Sequence, residues 1–196
     1  MNHHDETRAF IAVPLPEKIK ILMENIILDL KNKISDNSVK WVQPNNIHLT
    51  LAFIGNVSKV RLDQVASRLS DLQGFQPSTV KLSKIGAFPS LNNPRVIWVG
   101  ITNEEKIVSL AQSIRHTINE ITQISDNKSF SAHLTLGRIK PQVTKDQLNK
   151  IKQVLFNHPA IPQEAFEITG FCLYESLLTP QGPRYSELGC FPSKNG

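Results

Sequence analysis

The chain has 196 residues, 40% of them apolar and 20% charged, with a formal net charge of +5. That length suits one domain, or two lobes sharing a core, and the balance is that of an ordinary globular protein rather than a disordered or fibrous one. No run is apolar and long enough to span a bilayer, and Met1-Asn2-His3-His4-Asp5-Glu6 holds no apolar signal region. A cytoplasmic location with no membrane partner is therefore expected.

The elements follow in chain order. Residues 8–14 read as a first strand, behind a leader through residue 7 that is expected to be flexible. Ile19, Leu22, Met23, Ile26, Ile27 and Leu30 mark one face of a helix over roughly 16–31. Lys40-Trp41-Val42 is a short strand leading through Gln43-Pro44-Asn45 into another at about 46–54. Ser58 is an N-cap for a helix carrying Leu62, Val65, Ala66, Leu69 and Leu72. Residues 78–88 alternate as a strand with one irregularity, Pro89 to Pro94 reads as a loop, and Val96, Trp98 and Val99 as a strand. Asn103-Glu104-Glu105 opens a second long helix through Ile107, Leu110, Ala111, Ile114 and Ile118. A strand at about 129–137 follows, then a helix from a capping box at Thr144 to about 156. A single β-like stretch at 164–175, a turn at 179–183 and a strand from Arg184 to Phe191 complete the chain. This order predicts an α+β fold, a single bilobal domain whose two pseudo-symmetric antiparallel sheets with outer helices face each other across a central cleft.

One motif is written twice. His48-Leu49-Thr50-Leu51 and His133-Leu134-Thr135-Leu136 both lie in predicted strands. His-apolar-Thr-apolar is expected only roughly 0.05 times by chance in such a composition. In a strand, residues two apart share a face, so each copy presents an imidazole beside a hydroxyl while its leucines enter the core. Two such histidines on either side of a cleft suit an in-line displacement at phosphorus, one activating water and the other protonating the departing oxygen. The threonines could hydrogen-bond the phosphate, and Arg138 offers it a guanidinium. Strict alternation would turn Arg138 away from His133, and a bulge or a strand end at Gly137 would bring it back.

Nothing in the sequence calls for a cofactor or metal: there is no Cys/His cluster at zinc spacing, no glycine-rich phosphate loop and no Glu-x-x-His. Cys172 and Cys190 each sit in an apolar run and read as buried reduced thiols, with a disulfide or a reactive thiol as the alternatives. The scattered basic excess suits a polyanionic partner without demanding one. Trp41, Trp98, Tyr174 and Tyr185 read as core aromatics, with base stacking the alternative. His3, His4, His116 and His158 lack partners at useful spacing and read as surface residues.

The paired motifs resemble those of the 2H phosphoesterases. The wider sequence is similar to the RNA 2′,3′-cyclic phosphodiesterases, long called 2′-5′ RNA ligases. The likeness runs through Arg8-Ala9-Phe10-Ile11-Ala12-Val13, Trp41 to Leu51, Gly86-Ala87-Phe88-Pro89, Pro94 to Trp98, Phe130 to Arg138 and Leu173-Tyr174-Glu175-Ser176, to Tyr185. Ala132 departs from it, since the family often has proline there. The resemblance implies metal-independent hydrolysis of a 2′,3′-cyclic phosphate, on RNA ends or nucleotides, to a 2′-phosphate. His48 would be the acid for the 3′ oxygen and His133 the base, with Thr50, Thr135 and Arg138 holding the phosphate. A monomer is expected. The alternatives are the reverse reaction, 2′-5′ joining of RNA ends, and a catalytically inactive RNA- or nucleotide-binding module.

Overall fold

A computed structural model describes residues 6–123, 129–180 and 182–194. The elements among them are β1 (Glu6–Pro14), α1 (Glu17–Ile34), β2 (Val39–Trp41), β3 (His48–Ser58), α2 (Lys59–Leu69), β4 (Ser78–Ser90), β5 (Asn93–Thr102), α3 (Glu105–Thr122), β6 (His133–Ile139), α4 (Lys145–Phe156), β7 (Ala165–Ile168), β8 (Gly170–Thr179) and β9 (Gly182–Pro192). The apolar stripes predicted from the 3.6-residue period do the packing. Ile19, Met23, Ile26, Ile27, Leu30 and Ile34 of α1 are buried, as are Ile107, Leu110, Ala111, Ile114 and Ile118 of α3. The local start signals hold as well. The Ser58 hydroxyl accepts from the Arg61 N–H, and Thr144 and Gln147 form a reciprocal capping box.

The strands pair antiparallel in the order β7-β4-β5-β6-β3-β1-β8-β9, with β2 beside β6. β1, β3, β8 and β9 make one lobe, and β2, β4, β5, β6 and β7 the other. They are joined through the two motif strands by one residue pair, Leu49 opposite Leu134. Both leucines are fully buried. The predicted pair of lobes is thus one curled sheet with a narrow seam, and the seam is where the repeated motif lies. Past it, the same edge of β6 changes partner to β2, which pairs Trp41 with Gly137, Lys40 with Arg138 and Val39 with Ile139.

Several local expectations change. The stretch at 164–175 is two strands, broken at Thr169: β7 pairs with β4 of the second lobe and β8 with β1 of the first. The predicted loop from Pro89 to Pro94 is a tight hairpin in which the two prolines face each other and Ser90 faces Asn93. β1 begins at Glu6, so the expected leader through residue 7 already contains the start of a strand. Residues 1–5, with His3 and His4, lie outside the described residues.

The cysteines are a correction. Cys172 and Cys190 stand directly opposite each other on β8 and β9 and are disulfide-bonded, not free thiols. Their adjacency comes from the hairpin register, to which a separation of 18 residues gives no clue. His158 is a second correction. Its side chain is only 7% exposed and its Nε2 lies 3.0 Å from Asp29 Oδ2, because the chain after α4 folds back onto α1. His116, beside Glu120 on α3, is exposed as expected.

Candidate active site

The antiparallel register across the seam fixes how the two motifs meet. With Leu49 opposite Leu134, the flanking positions bring His48 level with Thr135 and Thr50 level with His133. The four polar side chains therefore leave the sheet on the same face, opposite to the leucines. The histidines are diagonal neighbours, and diagonal positions lie about 7–8 Å apart. That is room for a phosphate between them, with a threonine hydroxyl beside each ring. Neither Thr50 nor Thr135 is engaged in a side-chain hydrogen bond with another described residue.

Both histidines are held in the same way. His48 Nδ1 lies 2.8 Å from the Asn46 carbonyl oxygen, and His133 Nδ1 lies 2.7 Å from that of Ser131. A carbonyl can only accept, so Nδ1 carries the proton in each ring and Nε2 is left as the atom that gains or loses one. Each imidazole also meets an aromatic wall. Phe10 and Tyr185 lie 4.8 and 5.4 Å from His48, and Phe88 lies 4.9 Å from His133 at 87°. Trp98 completes the second wall at 6.2 Å. Its indole lies flat over Gly86, where an added Cβ would come within 2.2 Å of the ring. Only glycine admits that shelf.

Burial sets the electrostatics. It pushes His48 down to about 4, with the charge of His133 adding to the effect and the Asn46 carbonyl opposing it. His133 is also lowered, first by burial and then by the Arg138 guanidinium, against the Ser131 carbonyl. Each is poised as a neutral base, and an anion between them would draw protons onto the pair. His48 is the more deeply set of the two.

Arg138 reaches this face through a bulge. Trp98 pairs with Thr135, but Ile97 pairs with Gly137 and Val96 with Arg138, so one residue of β6 is extra. Leu136 and Gly137 are both buried in succession, and Arg138 emerges exposed on the side of His133 and Thr135. Gly137 is required there: a Cβ would sit 2.8 Å from Val39 Cγ1 and 2.9 Å from Trp41 Cε3. The first motif makes the same irregularity. Ala12 pairs with Thr50 but Ile11 with Ala52 and Phe10 with Phe53, which turns Phe53 onto the concave face beside Phe10. Position five after each histidine is thus delivered to the cleft, as phenylalanine in one lobe and arginine in the other. Sequence alternation missed Phe53, and the equal spacing of the two motifs was the signal that could have found it.

Of the four aromatics singled out from sequence, Tyr174, Tyr185 and Trp98 line this face, Tyr174 stacking on Phe10 at 5.4 Å, while Trp41 packs over Gly137. The hairpin formed by β8 and β9 curls back over the first lobe, and the Asn46 side-chain amide donates to the Pro183 carbonyl at 2.9 Å. That bond ties Tyr185 to the segment leading into His48. The one group of potential metal-binding side chains among the described residues is Cys172, Glu187 and Cys190. Both of its sulfurs are taken by the disulfide, so it offers no thiolate.

An α+β sheet that curls to set two His-x-Thr strands antiparallel across a seam defines a two-histidine phosphoesterase. The chain belongs to the family described as LigT like Phosphoesterase, which matches it twice, over residues 13–98 and 99–185. Each match contains one histidine motif. An RNA 2′,3′-cyclic phosphodiesterase of Archaeoglobus fulgidus is 35% identical over 94% of this chain and 99% of its own. One of Methanothermobacter thermautotrophicus is 30% identical over 95% and 98%. Among solved structures, a Thermus thermophilus protein superposes with a TM-score of 0.79 at 26% identity, covering 95% of this chain and 98% of that one. Escherichia coli LigT complexed with 3′-AMP gives 0.75 at 26% identity, covering 96% and 99%.

Proposed function

We propose that this protein is a metal-independent RNA 2′,3′-cyclic phosphodiesterase that opens the cyclic phosphate to a 2′-phosphomonoester. The observation that carries the reading is the pair of Nε2 atoms left open on one face by matching Nδ1–H bonds to carbonyls. In the reaction, the oxygen of a water bonds to phosphorus while His133 Nε2 takes its proton. The bond from phosphorus to O3′ breaks, and His48 Nε2 delivers a proton to that oxygen. The two rings end with their protons exchanged and reset through solvent.

The division of labour follows from burial. His133 is the less deeply set and is the better placed to receive water. His48, against Phe10 and Tyr185, faces the aromatic wall on which a nucleoside would rest. Phe53 and Tyr174 extend that wall. Thr50, Thr135 and Arg138 hold the non-bridging oxygens as charge builds on them. An imidazole lowered to about 4 protonates O3′ readily once the bound anion has charged it. The substrates are RNA ends or nucleotides carrying the cyclic phosphate, taken by a monomer, a single bilobal domain, in the cytoplasm. No helix among the described residues is long and apolar enough to cross a membrane.

Phosphorus NMR of the product from 2′,3′-cyclic AMP tests the reading. A 2′-phosphate is expected. A 3′-phosphate would mean that O2′ departs and would overturn the role of His48, and absence of turnover would remove the activity altogether.

A further inference from the structure

Arg8 stands on β1 two residues before Phe10, so its side chain leaves the strand on the same concave face. Its side chain is exposed and has no hydrogen bond or ion pair with another described residue. Its charge reaches the Tyr185 phenol, as does that of Arg138. The Tyr185 ring lies 4.8 Å from Phe10 and 5.4 Å from His48. The ring next to His48 thus feels two guanidinium charges, one carried by β1 of the first lobe and one by β6 of the second.

A single phosphodiester does not account for both. The cyclic phosphate carries one negative charge, which Arg138 balances, and the reactive histidine pair already holds one proton's positive charge of its own. Two acidic groups share this face, Glu6 two residues along β1 and Glu187 opposite Tyr174, and neither makes an ion pair with Arg8. A cation kept unpaired beside a site already positive indicates a second anion on the substrate.

We propose that Arg8 binds the phosphodiester joining the reacting nucleotide to its 5′ neighbour, so that the preferred substrate is an oligonucleotide end and not a mononucleotide. This rests on the cyclic phosphodiesterase reading above. Lys40, which faces Arg138 across β2 and β6, marks the other lobe and serves as the comparison.

The test compares kcat/KM for a short RNA ending in a 2′,3′-cyclic phosphate with that for 2′,3′-cyclic AMP, in wild type, Arg8→Gln, Arg8→Lys and Lys40→Gln. Wild type is expected to favour the RNA, and Arg8→Gln to shrink that preference roughly five- to tenfold, through KM. Arg8→Lys should restore part of it. For the RNA, the slope of log kcat/KM against log salt should become shallower by about 0.7 in Arg8→Gln. The inference is overturned if wild type shows no preference, if Arg8→Gln lowers both substrates equally, or if Lys40→Gln collapses the preference in its place. Turnover of cyclic AMP by wild type in the same series tests the underlying reaction separately, and its absence would fail that reading. Melting curves of the variants show whether each is folded.

Discussion

Gly137→Ala probes the device that brings Arg138 to the face bearing His133 and Thr135. The new Cβ would lie 2.8 Å from Val39 Cγ1 and 2.9 Å from Trp41 Cε3. Val39 is buried, and Trp41 is pinned by its pairing with residue 137. Neither neighbour is the far end of a flexible chain. Overpacking of this kind costs about 1–3 kcal/mol, and for a chain of this length about 2 kcal/mol lowers Tm by about 4–8 °C. The strand can escape the clash only by giving up its bulge, which returns Arg138 to the other face by strict alternation. The loss of kcat/KM in Gly137→Ala should therefore approach that of Arg138→Gln. In the double variant the two losses should fail to multiply, because the arginine has already been displaced. Melting by circular dichroism and hydrolysis of 2′,3′-cyclic AMP measure both effects. Independent losses, additive within about 0.5 kcal/mol, would refute the link between the glycine and the arginine.

Three further outcomes are expected. The kcat/KM profile should be bell-shaped and peak between about 4 and 6.5, because one ring must be charged and the other neutral while both titrate below the ordinary histidine value. A plateau extending through pH 8 would contradict it. Folding stability should fall with pH through the same window: His48 is lowered in the folded state, so its contribution is complete above about 6.5 and lost as pH drops through about 4. The loss attributable to it is at most about 3 kcal/mol, and denaturant melts of His48→Gln should show a correspondingly flatter dependence. Finally, reducing the Cys172–Cys190 bond, which closes a loop spanning 18 positions, should cost about 3 kcal/mol. That would appear as a drop in Tm on adding reductant, absent in the double Cys→Ala variant.

How much of this was legible in the sequence depended on whether the signal was local. The His-x-Thr repeat, the helix stripes and the caps at Ser58 and Thr144 are written within a few residues, and each is found where it was read. The irregularity at Gly137 was legible as a bulge or a strand end, and only the register of β6 against β5 selects the bulge. What failed depends on distant pairing. The division of 164–175 between two lobes, the facing prolines at 89 and 94 and the meeting of Cys172 with Cys190 are properties of strand register. His158 reads as a surface residue until α1 supplies Asp29 from 129 positions away. Phe53 is hidden for the same reason, because its face is set by the bulge that the register of β3 against β1 creates after Thr50.

The central claim is that His48 and His133 act as one acid–base unit on a single phosphate. It is tested most directly by hydrolysis of 2′,3′-cyclic AMP in excess EDTA by wild type, His48→Gln, His133→Gln and the double variant. The account predicts full activity of wild type in EDTA and a loss of about 10² to 10⁴ in each single variant, with little more in the double. A dependence on added metal, or single losses that multiply in the double variant, would contradict it.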